Sequence, residues 1–317
     1  MGRPMLVALL LLATGCAATP EAPGPGEGPE GALLATSDGT SIWYRVAGDR
    51  DAPAVLYLHG GPGYNCYDFE RAAGPLLERR LRMVYLDQRG CGRSPGTAET
   101  RLGTPPTVED IDALRQGLGI GRLTLIGHSF GGLLALEYAR LHPDRVDGLV
   151  LVDTTADLPV AFGHQAEVLE RLAPAAAAAA GPAPSARPAL ERLLAAYRIV
   201  GPEVAQRRLL FASDEGWARH EAWDEASGLR GRGVGVMLAY AEEGCLDSSH
   251  PELMRTLGTR GVLLAGLRSG AVGVEGIEAA ARAWGVPVRW FERSGHFVYA
   301  DEPEAFAAAV VEFVEGR

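Results

Sequence analysis

The sequence predicts an α/β protein: a mostly parallel sheet flanked by helices, with a helical block inserted ahead of its last strands. Two observations predict it. Short, almost wholly apolar runs recur at Ala54–Leu58, 83–86, 123–126 and 149–152, with helical patterns at 108–118 and 133–141 between them. Apolar runs of that length suit parallel strands buried on both faces, and strand–helix alternation implies right-handed crossovers. From about residue 154 to 256 the alternation stops, and only helical patterns appear. It then resumes with a strand over 262–267, a helix over 276–284, a strand over 286–291 and a closing helix over 303–314.

Each element has its own signal. Residues 31–47 read as a hairpin, because the turn residues Ser37-Asp38-Gly39-Thr40 separate two apolar segments. The block between the strands carries an alanine run at 175–180 and a Pro-rich break at 181–188. The expected organisation is therefore a core of residues 32–153 and 257–317 with a helical cap at 154–256. Apolar residues make up 47% of the 317, enough to bury one large core.

Charge excludes one class of partner. Thirty basic residues, all of them arginine, face 40 acidic ones for a net of −10, which is poor electrostatics for holding a phosphate backbone. Nucleic acid is not expected as a partner. No His/Cys group has metal-ligand spacing, so neither a metal nor a cofactor is expected.

The first residues bear on location. Arg3 precedes an apolar run at 6–12 that is too short to span a bilayer, and Ala13-Thr14-Gly15 lead to Cys16. Small residues before a cysteine resemble the lipobox of bacterial lipoproteins. That resemblance implies a signal peptide over 1–16, lipidation of Cys16 and a membrane anchor at the cell envelope, periplasmic or at the outer surface. Residues 17–31, rich in Pro, Gly and Glu, read as a disordered tether. Three further cysteines, Cys66, Cys91 and Cys245, permit at most one internal disulfide.

The chemistry concentrates at strand ends. Gly127-His128-Ser129-Phe130-Gly131 follows one apolar run and opens a helix. A serine on such a sharp strand-to-helix turn projects its hydroxyl, so Ser129 is the candidate nucleophile. Acyl transfer also needs donors for the oxyanion: the backbone N–H of Phe130, and that of Gly61 in the loop His59-Gly60-Gly61-Pro62-Gly63. His296, in Ser294-Gly295-His296-Phe297 after the last strand, is the candidate base.

These blocks resemble the α/β-hydrolase superfamily and, within it, the proline iminopeptidase branch. His59–Gly63 is that branch's hallmark, Asp87-Gln-Arg-Gly-Cys-Gly-Arg-Ser94 matches its second block, and Asp110-Ile-Asp-Ala-Leu-Arg115 resembles the helix ahead of the elbow. The likeness is strong over 53–154, moderate over 262–313 and absent from the cap. The elbow itself, GHSFGG, is closer to generic hydrolases of the superfamily than to the branch.

A larger departure concerns the triad acid. The family places an aspartate in a G-x-x-D pattern after the seventh strand; here that stretch is Gly266-Leu267-Arg268-Ser269. Three arrangements remain open. The acid stands at Asp153, after the sixth strand, as in some haloalkane dehalogenases of the same fold; this is the arrangement adopted. Alternatively it is Glu275, or there is none and activity is weak or lost. On the first arrangement Ser269 itself is expected to contribute little. Peptidases of the branch hold the substrate's α-amino group with cap carboxylates, for which Glu215, Glu242 and Glu243 are available. The resemblance implies a serine hydrolase releasing N-terminal residues from small peptides. The same machinery suits an esterase or amidase on a small non-peptide substrate, and a chain without its acid would be a non-catalytic binding lipoprotein. Oligomeric state is not legible.

Overall fold

The computed structural model describes residues 26, 28, 30–97, 99–175, 188–242 and 249–316. The expected signal segment with Cys16, most of the tether, most of the alanine run and Pro-rich break, Glu243 and Cys245 lie outside the described residues. Among the described residues, no helix is long and apolar enough to cross a membrane.

Eight strands form one sheet: β1 (Ala32–Ala35), β2 (Ser41–Ala47), β3 (Ala54–Leu58), β4 (Arg82–Asp87), β5 (Leu123–His128), β6 (Val146–Val152), β7 (Gly261–Gly266) and β8 (Val288–Phe291). Their spatial order is β1-β2-β4-β3-β5-β6-β7-β8. The β1–β2 hairpin pairs antiparallel, Ala35 opposite Ser41, and β2 pairs antiparallel with β4. Every other neighbour is parallel. The last strand starts later than the sequence suggests, because Pro287 has no N–H to place in a ladder.

Alternate residues of each strand feed two cores. Leu56, Leu58, Val84, Leu86, Leu125, Leu149, Leu151 and Leu263 point to one face. There they meet α3 (Thr104–Gly117), α4 (Phe130–Leu141) and, past the cap, α11 (Val274–Trp284) through Ile111, Leu134 and Ile277. Val55, Tyr57, Met83, Tyr85, Ile126, Val150 and Val152 point to the other. They pack on α1 (Tyr67–Ala72), α2 (Gly74–Leu77), α12 (Val298–Asp301) and α13 (Pro303–Glu315) through Phe69, Leu77, Val298 and Phe306. Each such large apolar side chain contributes roughly 1.5–3 kcal/mol on burial, and both faces being covered explains why the strands read as continuous apolar runs.

Between β6 and β7 run α5 (Leu158–Glu170), α6 (Ala189–Val200), α7 (Pro202–Leu210), α8 (Asp214–Ser227), α9 (Val234–Glu242) and α10 (Pro251–Thr256). Helices α5, α6 and α7 share a small apolar cluster of their own, built on Ala166, Leu169, Leu193, Ala196, Ala205 and Leu209. Helix α10 falls within the stretch expected as cap, yet its buried Met254 belongs to the larger sheet core.

The packing behind β5 tolerates no side chain at Gly131. A Cβ there would stand 2.2 Å from the Leu58 carbonyl oxygen and 2.6 Å from that of His59, so only glycine lets α4 lie against the end of β3. Gly131→Ala should therefore cost roughly 1–3 kcal/mol or more and lower Tm by several degrees in thermal unfolding. Gly121→Ala, where nothing lies within 4 Å, is the control and should change little.

Candidate active site

The carboxyl ends of β3, β5, β6, β7 and β8 lie side by side along one edge of the sheet, where α/β folds place their ligands. Ser129 follows β5, Asp153 follows β6, Ser269 follows β7 and His296 follows β8. Ser129 and Asp153 are the two described non-glycine residues with positive φ, at 52° and 46°. Such backbone costs of order 1–3 kcal/mol per residue and persists where the surroundings enforce it. Here the Ser129 N–H donates to the Val152 carbonyl (2.9 Å), Thr154 Oγ1 donates to the Ser129 carbonyl (2.6 Å), and the Asp153 N–H donates to the Leu264 carbonyl (2.9 Å). The strained turn leaves Ser129 partly exposed at the head of α4, whose N-terminal end favours negative charge.

His296 is buried and meets Asp153 directly: its Nδ1–H donates to Asp153 Oδ2. That bond fixes the tautomer and leaves Nε2 as the basic nitrogen. The main chain of the same loop is held twice more. His128 Nε2–H donates to the His296 carbonyl (3.0 Å), the two imidazoles lying 4.5 Å apart, and the His296 N–H donates to the Leu210 carbonyl (2.8 Å). Burial keeps the His128 ring well below the usual imidazole range, so it serves this bond as a neutral donor.

The loop His59–Gly63 lies against the elbow. A Cβ on Gly60 would stand 2.8 Å from Ser129 Cβ, so glycine is what lets this backbone approach the serine. Gly61 has φ of 121°, and Phe130 is the first residue of α4, with its ring against Tyr240 at 4.7 Å. The loop after β4 braces this one. Gln88 N–H donates to His59 Nε2 (3.1 Å) and Gln88 Nε2 to the His59 carbonyl (2.8 Å), while His59 Nδ1–H donates to the Gly60 carbonyl (2.9 Å). Buried Asp87 takes the Cys66 N–H (2.9 Å) and both the N–H and Nε of Arg93 (2.8 and 2.7 Å). Burial alone would raise the Asp87 carboxyl, but the Arg93 guanidinium outweighs it and holds the group below the usual carboxylate range. Arg89 forms a bidentate pair with Asp110 at 2.7 and 2.6 Å; breaking such a buried pair costs about 3–5 kcal/mol.

Ser269, expected to contribute little, touches the candidate acid. Its Oγ–H donates to Asp153 Oδ2 at 2.5 Å, the same oxygen that His296 addresses. Glu275 is exposed at the start of α11, and the His296 Nδ1 that it would have to address is already paired with Asp153. Glu215 and Glu242 are exposed as well. Cys66 and Cys91 are both buried free thiols. Among the described residues, no group of three or more His, Cys, Asp or Glu side chains is arranged to hold a metal ion.

Comparison with known proteins agrees with this architecture. A family model described as alpha/beta hydrolase fold matches residues 53–197. The chain is similar to a proline iminopeptidase-related protein of Thermus thermophilus, with a TM-score of 0.77 at 28% identity over 90% of this chain and 96% of that one. The chain has the α/β-hydrolase fold and is similar to proline iminopeptidases. It is 40% identical over 119 residues to the proline iminopeptidase of Neisseria gonorrhoeae, which is 37% of this chain and 38% of the relative. The match to the Xylella fastidiosa (strain 9a5c) proline iminopeptidase is 40% over 124 residues, 38% of this chain and 39% of the relative. The matched stretch thus spans under two fifths of the length of each of these two relatives. An esterase from Exiguobacterium antarcticum shares the fold at a TM-score of 0.65 and 22% identity, over 89% of this chain and 98% of that one.

Sequence reasoning did not find a second buried cluster beside this site. Asp68 on α1 accepts from Tyr299 Oη–H (2.7 Å) and from the Phe69 N–H (2.7 Å) and lies 3.9 Å from His220 Nδ1 of α8. His220 also stacks on Tyr64, the residue after the glycine loop, at 5.6 Å. Burial pushes the Asp68 carboxyl up to about 7, helped by Asp224, and pushes the His220 ring down to about 4. A carboxyl whose folded value lies above its unfolded one holds an extra proton in the folded state between about pH 4 and 7, so its contribution to stability falls as pH rises through that window. Asp68→Asn should gain stability relative to wild type as pH goes from 4 to 8, measured as the difference in urea midpoints. A difference independent of pH would show that Asp68 is ionised throughout.

Proposed function

We propose that the protein is a serine hydrolase that releases N-terminal residues from small peptides, as its proline iminopeptidase relatives are named for doing. The observation that carries this reading is the Asp153–His296 hydrogen bond beside a serine elbow that the His59–Gly63 loop covers. His296 Nε2 takes the Ser129 Oγ proton as Oγ attacks the scissile carbonyl carbon. The oxyanion is received by the N–H groups of Phe130 and Gly61. Collapse of the tetrahedral intermediate breaks the C–N bond, His296 gives its proton to the departing amine, and an acyl-serine remains. Water, deprotonated by the same imidazole, then releases the acid and restores Ser129. Asp153 keeps Nδ1–H oriented and stabilises the imidazolium of both steps.

A second reading, an esterase or amidase acting on a small non-peptide substrate, is supported by the elbow Gly127-His128-Ser129-Phe130-Gly131-Gly132, which resembles generic hydrolases of the superfamily more than the branch. Proline arylamides compared with short acyl esters separate the two. On whichever is hydrolysed, Ser129→Ala should abolish turnover with folding intact, and Asp153→Asn should lower kcat by about 10³–10⁴-fold. Unchanged hydrolysis by Ser129→Ala would end the proposal. No turnover of either class by wild type would favour a binding lipoprotein instead.

We further propose that Cys16 carries a lipid that anchors the chain at the cell envelope, on the strength of the small residues that precede it. Cys16→Ala should move the protein from the membrane to the soluble fraction. A variant that still fractionates with membranes would contradict the anchor.

A further inference from the structure

Asp153 accepts two hydrogen bonds on one oxygen. His296 Nδ1–H and Ser269 Oγ–H both converge on Oδ2, while Oδ1 is buried and takes no hydrogen bond from the protein. A carboxylate is a two-fold rotor, and a single donor would leave it free to turn about its last torsion or to tilt off the imidazole plane. The second donor removes that freedom. Ser269 is itself held: its Oγ accepts the Ala271 N–H at 3.2 Å, and the next residue, Gly270, donates its N–H to the Leu209 carbonyl at 2.8 Å. With its oxygen accepting from Ala271, the hydroxyl gives its one proton to Asp153.

We propose that Ser269 is a positioning residue of this site, pinning the Asp153 carboxylate toward His296 and sharing its negative charge. The inference rests on the serine-hydrolase reading and goes beyond it. The position after β7 where relatives of the branch keep their triad acid has not gone idle: it supplies the donor that orients an acid standing after β6.

The test is a double-mutant cycle with two readouts. On the arylamide or ester that wild type hydrolyses, Ser269→Ala should lower kcat roughly 10- to 100-fold, the scale of one hydrogen bond to a charged group, with KM within about twofold. Ser269→Thr, which keeps the hydroxyl, should recover most of the rate. In the Asp153→Asn background, Ser269→Ala should cost almost nothing further, since the pair acts as a unit. In proton NMR, the deshielded His296 Nδ1 resonance should shift in Ser269→Ala, return in Ser269→Thr and vanish in Asp153→Asn; this readout needs no substrate. Normal kcat in Ser269→Ala, an additive loss in the double variant, or an unmoved resonance would overturn the proposal while leaving the hydrolase reading standing. Full activity in Asp153→Asn would overturn it as well, by removing Asp153 as the acid that Ser269 is argued to orient.

Discussion

Two donors from neighbouring strand ends meet at one carboxylate oxygen, Asp153 Oδ2, and the arrangement of the candidate site follows from that convergence. Strands β6, β7 and β8 are adjacent and parallel, so the residues that follow them share one edge of the sheet. Hydrogen-bond ladders set those strand ends a few ångströms apart before any side chain is chosen. An acid after β6 reaches His296 after β8 across the loop of β7, and the residue in between, Ser269, lies within its reach. The positive φ at Asp153 is the backbone cost of turning that carboxylate inward, and the N–H bond to Leu264 helps hold it.

The helical cap enters the same network through its main chain. The Leu209 and Leu210 carbonyls, at the end of α7, accept the N–H groups of Gly270 and His296, one from each loop flanking Asp153. Both loops therefore take their position from a segment that the sheet does not contain. Leu209 also belongs to the small apolar cluster shared by α5, α6 and α7, so the packing of the cap and the placement of the imidazole are mechanically joined. On the opposite side, Gly63 and Gly233 meet backbone to backbone, which brings the start of α9 onto the glycine loop. The site thus sits between a sheet edge and a cap that touches it from two directions.

Much of this was legible in the residues. The apolar runs located the strands because burial on both faces leaves no polar alternation. The elbow was legible because Gly127, Ser129 and Gly131 occur at a strand-to-helix junction, and His59–Gly63 because glycines follow β3. Asp153 was readable only as one of three choices, since an aspartate after a strand is common and its partner lies 143 residues away. Ser269 carried a signal in its position after β7, but a hydroxyl's hydrogen-bond direction is set by what surrounds it and not by its neighbours in sequence. The roles of the Leu209 and Leu210 carbonyls had no sequence signal at all, because any residue supplies a carbonyl. The cap's extent was blurred for a related reason: α10 has a helical pattern like its predecessors, and only three-dimensional packing puts Met254 in the sheet core.

The central claim is that Ser129 is a nucleophile made reactive by His296 and an acid that has moved to Asp153. Its most direct measurement is mass-spectrometric mapping of the adduct formed with a fluorophosphonate, timed in wild type and in Asp153→Asn. The expected result is a single adduct on Ser129 in wild type, formed far more slowly in the variant. An adduct on another residue, or labelling of Ser129 at the same rate without the Asp153 carboxylate, would contradict it.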